Sequence, residues 1–352
     1  MNVIQQQTAS SSLIEEYYDL GSYHRPITTN SKDAQKWFDR GLIWSYAFNH
    51  EEAENCFLKA TACDKNCAMA WWGLAYALGA NYNKPWEVFD QEDIHKIGYQ
   101  GHRAAVQAKK VSASATPTER ALIDAIQLRY PDDWPELDYS KWNIGYAEAM
   151  SEVYHEFEDD LDVSALYADS LMNFTPWKLW DLQSGLPADG AHTLAVKKIL
   201  ESALSTENGL QHPGLLHLYI HLMEMSSTPE AALTIADHLR SLVPDAGHLN
   251  HMPTHLDILC GDYRRAIASN SEAIRADEKF VAREGALNFY TLYRSHNYHF
   301  RIYAAMFSGQ SKIALETVKQ LEDSIQEDLL RIKSPPMVSE DCPLLSLFQK
   351  ES

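Results

Sequence analysis

Nine of the 15 histidines in this chain lie between residues 212 and 299, and seven of the nine fall into register with one another. Ala232, Ala266 and Ala314 each follow the turn inside a helix pair. Fifteen residues before them stand His217, His251 and His299. Eleven residues before stand His221, His255 and Tyr303; eighteen before stand Gly214, His248 and His296. Spacings of three and four residues put 217/221/224, 248/251/255 and 296/299/303 in one stripe each on its helix. Stripes on neighbouring helices about 10 Å apart let imidazoles converge on one metal ion or a close pair. Seven protonated histidines would repel one another, and seven neutral ones would need many hydrogen-bond partners. A bound cation removes both difficulties, because neutral imidazole is the commonest metal ligand. The expected metal residues are therefore His217, His221, His251, His255 and His299 at the core, with His248, His296 and the carboxylate of Glu224 completing or tuning the site.

A nitrogen-dominated donor set suits copper, iron, zinc or nickel, whereas calcium and magnesium want oxygen. Six or more histidines exceed what one zinc ion requires, so a transition metal is expected, copper or iron before zinc, in a centre with room for two ions. There is no HExxH, GxSxG, P-loop or GxGxxG. Pro253 belongs in the first turn of a helix, so the helix is expected to begin near Met252. That leaves His248 and His251 on the approaching loop and favours His255 over His248 as a ligand. His212, just ahead of Pro213, is expected to sit before its helix and is left out of the ligand set, and His238, on the second helix of its pair, is read as structural. Cys63 and Cys67 share a helical face, but small buried cysteines in a helix hairpin are the simpler reading.

The elements that must carry these residues are helices. Runs such as AQKWFDRGLIWSYAF, EEAENCFLKATAC and AMAWWGLAYALG repeat apolar residues at three and four, and short polar turns join them. Residues 1–30 are rich in Gln, Ser and Thr and read as an arm. Residues 31–333 read as one helical domain with an irregular middle over 84–210, and 334–352 as a tail. Lys plus Arg is 30 against 49 Asp plus Glu, a net charge of −19. So acidic a chain lacks the basic patch that nucleic acid or an anionic membrane requires. Five scattered cysteines make no disulfide framework. The N-terminus has neither a basic nor an apolar signal region, and no apolar run reaches the length of a membrane span. A cytoplasmic location is expected.

Trp37, Gly41, Trp44, Ala53, Phe57 and Ala60 have the spacing of the tetratricopeptide repeat, a helix–turn–helix unit of about 34 residues. A second unit starts where adding 34 lands on Trp71, Ala75 and Leu78, with Leu74 just before Ala75, and Ala232 and Ala266 are 34 apart. The chain resembles that family over 34–79 and 213–325, apart from Lys65 where the family usually has proline. The resemblance implies an all-α fold, a right-handed superhelix of antiparallel helix pairs. The segments HPGLLHLYIHLMEMS, AGHLNHMPTHLDILCGDY and SHNYHF, with AFNHEEAENCF and CAMAWWGLAYALGANYN, resemble a narrower bacterial and fungal group of such proteins that carries similar histidine segments. No activity comes with that likeness. It does imply that His50, Asn81, Asn83 and Asp169 share the functional surface, Asp169 as a second carboxylate ligand or a base.

Together these readings favour a metal-dependent enzyme, an oxidoreductase or oxygenase acting on a small organic molecule in the concave groove. Asp169, Glu224 and Tyr303 are the candidate catalytic residues, and Trp72, Tyr76, Tyr219, Tyr298 and Tyr303 are candidates for holding the substrate. Two rivals remain. One keeps the metal as a Lewis acid for hydrolysis or isomerisation. The other is a non-catalytic interaction scaffold with a peptide partner laid in the groove.

Overall fold

The protein is described here by a computed structural model covering residues 17–130 and 139–325. The expected tail, 334–352, and the first half of the expected arm lie outside the described residues. Among the described residues the chain is helical without strands, and its helices pack in consecutive pairs. The first are α1 (Lys32–Tyr46), α2 (His50–Cys63) and α3 (Ala68–Leu78). Next come α4 (Gln91–Lys110), α5 (Pro117–Gln127), α6 (Tyr139–Glu156) and α7 (Leu161–Met172). The site-bearing half holds α8 (Thr193–Leu204), α9 (Pro213–Met223), α10 (Leu233–Leu239), α11 (Gly247–His251) and α12 (Pro253–Leu259). It closes with α13 (Tyr263–Glu284), α14 (Thr291–Phe307) and α15 (Ser311–Ser324).

Local chemistry explains many of the starts. Ser31, Asp90, Asp160 and Asp262 each accept from a backbone N–H in the first turn of the helix that follows. Thr116 and Glu119 form a reciprocal capping box ahead of Pro117. Such caps satisfy the donors that a helix leaves unpaired at its N-terminus.

The small residues of the repeat pattern mark close helix approaches. The Phe57 ring on α2 lies between Gly41 of α1 and Gly73 of α3, and a Cβ at either glycine would fall inside van der Waals contact of it. Gly73→Ala should gain about 1 kcal/mol of helix propensity. Overpacking a clamped ring costs about 1–3 kcal/mol, and Gly41 blocks its retreat. A net loss of up to about 2 kcal/mol is therefore expected in urea unfolding, and a gain in stability would disprove the clamp.

The described part of the arm is fastened through charge. Arg25 donates from Nη1 and Nη2 to the two carboxylate oxygens of Asp160 at 2.8 and 3.0 Å, and from Nη1 to Asp162 at 2.5 Å. Tyr23 and Tyr46 donate their hydroxyls to Asp162 at 2.6 and 2.5 Å, and His212 Nε2 lies 3.2 Å from it. His212 Nδ1 accepts from the backbone N–H of Leu215, so its proton sits on Nε2 and points at Asp162. His212 thereby caps α9 and ties it to α7 and the arm.

The apolar core is one large cluster running from the arm to α12 and including Phe280, Tyr290 and Tyr293. The last pair is held by two small clusters, Ala266/Ile267/Ala304/Ala305/Ala314 and Ile274/Tyr298/Leu321. No helix among the described residues is long and apolar enough to cross a membrane.

Candidate metal centre

Three helical segments bring the histidines together. On α9, His217 and His221 are one turn apart and share a face. The helix expected to begin at Met252 begins earlier. Gly247–His251 is a helical turn of its own, so His248 and His251 are helical rather than on a loop. Met252 keeps right-handed helical dihedrals (φ −51°, ψ −42°) despite the proline after it, and α12 continues the path, leaving His251 and His255 one turn apart. Two groups support this early turn. The backbone N–H of His248 donates to Tyr290 Oη at 3.1 Å, and Tyr290 donates onward to Asp277 at 3.0 Å. Gly247 is required because Asp277 sits where a Cβ would be.

Burial pushes the Asp277 carboxyl up to about 7, against the hydrogen bonds it receives from Asn297 and Tyr290. An ordinary aspartate titrates near 4, so the fold binds this proton more tightly than the unfolded chain does. The contribution is full below about pH 4 and is lost as pH rises through about 7. Asp277→Asn should flatten the fall in urea stability of the metal-free protein between about pH 5 and 8. An unchanged slope would show that Asp277 is ionised throughout.

The imidazoles group across helices, not along them. His217, His221 and His248 form one set of three, and His251, His255 and His296 a second; within each set, one nitrogen per ring lies within 4.8 Å of the others. These described residues are therefore two histidine clusters able to hold metal ions. All three rings of the first triad are buried. The second is only partly closed, with His255 and His296 half-buried. A phenylalanine is wedged into each triad. Phe48 lies 4.4, 5.7 and 5.8 Å from the rings of His217, His221 and His248. Phe300 lies 4.6, 4.6 and 4.4 Å from those of His251, His255 and His296. Phe48 has φ of +55°, a left-handed conformation that is costly for a bulky residue and found mostly where function or packing enforces it.

The hydrogen bonds define the tautomers. His217 Nδ1 is 2.6 Å from the Tyr46 carbonyl and His221 Nδ1 is 2.8 Å from Glu224 Oε1. His255 Nδ1 is 2.5 Å from Glu224 Oε2, and His251 Nδ1 is 2.7 Å from Asn270 Oδ1, whose amide nitrogen is committed to the Ala266 carbonyl. All four partners can only accept, so each Nδ1 carries the proton and each Nε2 presents a lone pair. His251 Nε2 and His255 Nε2 then face each other at 2.9 Å. Two lone pairs at that distance repel unless a cation lies between them. His221 Nε2 and His248 Nδ1 are buried with no hydrogen-bond partner, and His217 Nε2 lies 3.1 Å from His248 Nε2. Burial first, and neighbouring imidazoles second, hold His248 and His251 well below the ordinary histidine range. Burial and His255 hold His296 at about 3.

The other expected site residues separate. Burial opposes ionisation of Glu224, but His255 and His221 outweigh it and keep the carboxyl far below its usual range. Both of its oxygens meet Nδ1 atoms, so it orients one imidazole in each triad and is not itself among the clustered donors. His299 is half-buried and belongs to neither triad. Tyr303 is exposed, with its ring 4.5 Å from Phe307. Asp169 is buried and accepts from Tyr76 at 3.1 Å, while its Oδ1 has no partner. Burial raises it to about 6 against the pull of Arg129. It lines, with His217, Phe48 and Tyr76, a cavity of about 10 Å³, the space of a single water. His50 opens α2 and bonds the Ala77 carbonyl through Nδ1 at 2.8 Å, while Asn81 caps its own turn. Asn83 accepts from Trp177 Nε1 at 3.1 Å. Trp72 donates to the Leu122 carbonyl and Tyr219 to Glu201, and Tyr298 is core. Cys63 is exposed and Cys67 buried, both as free thiols.

Phe48, Phe300, Asn270 and the Tyr46 carbonyl were not among the expected site residues. Phe300 was within reach of spacing, one turn after His296. Nothing local marks the other three. No protein-family model matches this chain and no curated protein is significantly similar to it, which leaves the two histidine triads, four of whose six rings have an accepting partner on Nδ1, as the ground for a functional reading.

Proposed function

We propose that this protein is a metal-dependent enzyme whose two histidine triads each hold one transition-metal ion, and that its chemistry is oxidative, on a small organic molecule. The repeat pairs are read as tetratricopeptide-type units on the spacing set out above. The observation that carries the metal is the pair of Nε2 lone pairs of His251 and His255 facing at 2.9 Å. Three imidazoles and no carboxylate or thiol per site favour copper over iron, whose open oxygenase sites usually include a carboxylate. Three protein ligands also leave coordination positions free for an exogenous molecule. A copper pair in that setting supplies one-electron steps and a place for dioxygen. The chain's own residues do the rest. Phe48 and Phe300 exclude water from the inner faces of the triads. Glu224, Asn270 and the Tyr46 carbonyl hold the Nδ1 protons so that Nε2 stays available. Asp169, next to His217 and hydrogen-bonded to Tyr76, is placed to accept or return a proton through one water. The partly closed second triad is the side from which a substrate has access.

A three-histidine site is also a known donor set for hydrolytic zinc, which keeps the Lewis-acid reading alive as the second choice. Elemental analysis of protein purified without a histidine tag decides between them. About two copper ions per chain, with oxygen uptake on reduction and reoxidation, is the expected result. Zinc alone, with no oxygen uptake, would replace the oxidative reading with the hydrolytic one. No metal bound, even after reconstitution, would return the groove to a peptide-binding role.

A further inference from the structure

We propose that Glu224 is a tautomer lock shared by two metal sites, so that the triads fill as a coupled pair. The inference rests on the metal reading above but not on the identity of the metal or on its redox chemistry. Glu224 is the C-cap residue of α9, three residues after His221. Its Oε1 lies 2.8 Å from Nδ1 of His221, in the first triad, and its Oε2 lies 2.5 Å from Nδ1 of His255, in the second. Each triad therefore has one histidine held locally, by the Tyr46 carbonyl or by Asn270, and one held by the common carboxylate. The rings that face across the gap between triads, His221/His255 and His248/His251, have centroids 6.3 and 6.0 Å apart, too far for a direct hydrogen bond to couple them. Glu224 makes that connection.

Two consequences follow from this geometry. The first is orientation. An ion that draws His221 Nε2 into line fixes the plane of the carboxylate, and the second oxygen then presents His255 in its ligating tautomer. The reverse holds as well, as linkage requires. The second is charge. One negative group in contact with both triads offsets the repulsion between two cations, and it does so without occupying a coordination position.

The lock needs two acceptors on one side chain, and only a carboxylate has them. In Glu224→Gln the carbonyl oxygen still accepts from one Nδ1–H, but the amide nitrogen meets the other donor to donor. That histidine relaxes to the Nε2–H form and stops being a ligand. The size and shape of the side chain are unchanged, so the fold is not at risk. Zinc is the probe, because it is silent to redox chemistry. In a calorimetric titration with a competing chelator, the wild-type protein should take up two zinc ions with the second bound no more weakly than the first. Glu224→Gln should take up one. Glu224→Ala should weaken both sites by about 10–100-fold, the usual cost of losing an outer partner of a metal-bound histidine. Long-range ¹H–¹⁵N spectra of chelated, histidine-labelled protein give a readout without metal. His221 and His255 should both be Nδ1–H in the wild type, and one of them should change tautomer in the glutamine variant. Two zinc ions bound at unchanged affinity by Glu224→Gln, or unchanged tautomers, would overturn the lock while leaving the two sites standing. A wild-type protein that takes up neither zinc nor copper would overturn the metal reading itself, and the lock with it.

Discussion

With alanine at both His221 and His255, the protein is expected to keep its helices and lose both metal ions. The two substitutions remove one ligand from each triad and, together, both hydrogen-bond partners of Glu224. Removing an outer partner of a metal-bound histidine costs about 10–100-fold in affinity, so removing the histidine itself should exceed that at both sites. The fold should tolerate the change. His255 is half-buried, and His221 Nε2 has no hydrogen-bond partner to lose. The cost that remains is a Glu224 carboxylate left without its two donors, of the order of 1–3 kcal/mol for a group that is not fully enclosed. Elemental analysis beside far-ultraviolet circular dichroism reads both halves of the prediction. Metal retained at wild-type stoichiometry would mean that the ions bind elsewhere. Metal lost together with the helical signal would make the histidines structural.

Arg25→Ala is expected to have the largest effect on stability, about 3–5 kcal/mol, the usual range when one partner of a buried ion pair is removed. Arg25 is 9% exposed and serves Asp160 and Asp162 at once. Burial opposes the charge on Asp162, but Arg25 and then His212 outweigh it and hold its carboxyl far below the ordinary aspartate range. A depressed carboxyl contributes stability above the unfolded value, near pH 4, and loses it as pH falls toward the folded value. The gap between wild type and variant should therefore be widest near neutral pH and should narrow below about pH 4, where the variant's Asp162 protonates. Urea unfolding at three pH values tests this. A gap under about 1 kcal/mol at pH 7 would show that Tyr23, Tyr46 and His212 satisfy Asp162 unaided. Because His212 caps α9, the same variant should also loosen the helix that carries His217 and His221.

The helical pairs and the clustering of most of the histidines were legible for related reasons. Apolar residues at three and four, with Gly41 and Gly73 opposite Phe57, describe helices that approach closely, and close approach needs small residues wherever it occurs. Equivalent slots in successive repeats picked out the six histidines that meet, because equivalent slots face the same groove. What slots do not carry is the axial offset between neighbouring helices. That offset moves His248 to the α9 histidines and His296 to His251 and His255, and it leaves His299 and Tyr303 outside. Glu224 was identified by its spacing from His221, but spacing says nothing about which imidazole nitrogen an oxygen meets. Pro253 misled for a physical reason. It does lack the donor that a helix interior uses, yet Tyr290 and Asp277, 42 and 29 residues beyond His248, support the turn before it. Phe48 enters through an unusual backbone angle at the end of α1 that no pattern announces.

The C-terminal helix pair has a different relation to the whole once the second triad spans the junction. Helical arrays open from their ends, since a terminal unit has one neighbour and a small interface. Here α15 and most of α14 rest on two satellite apolar clusters, and Tyr293 in the first turn of α14 joins them to the main core. Yet α14 supplies His296, while α11 and α12 supply His251 and His255. An ion in that triad makes detachment of the last pair cost a coordination bond, so fraying and metal release become one event. In hydrogen exchange, the amides of α14 and α15 would open locally and early in the chelated protein. In the loaded protein they would slow toward the exchange rates of α11 and α12, and the array would unfold as one block from its histidines outward.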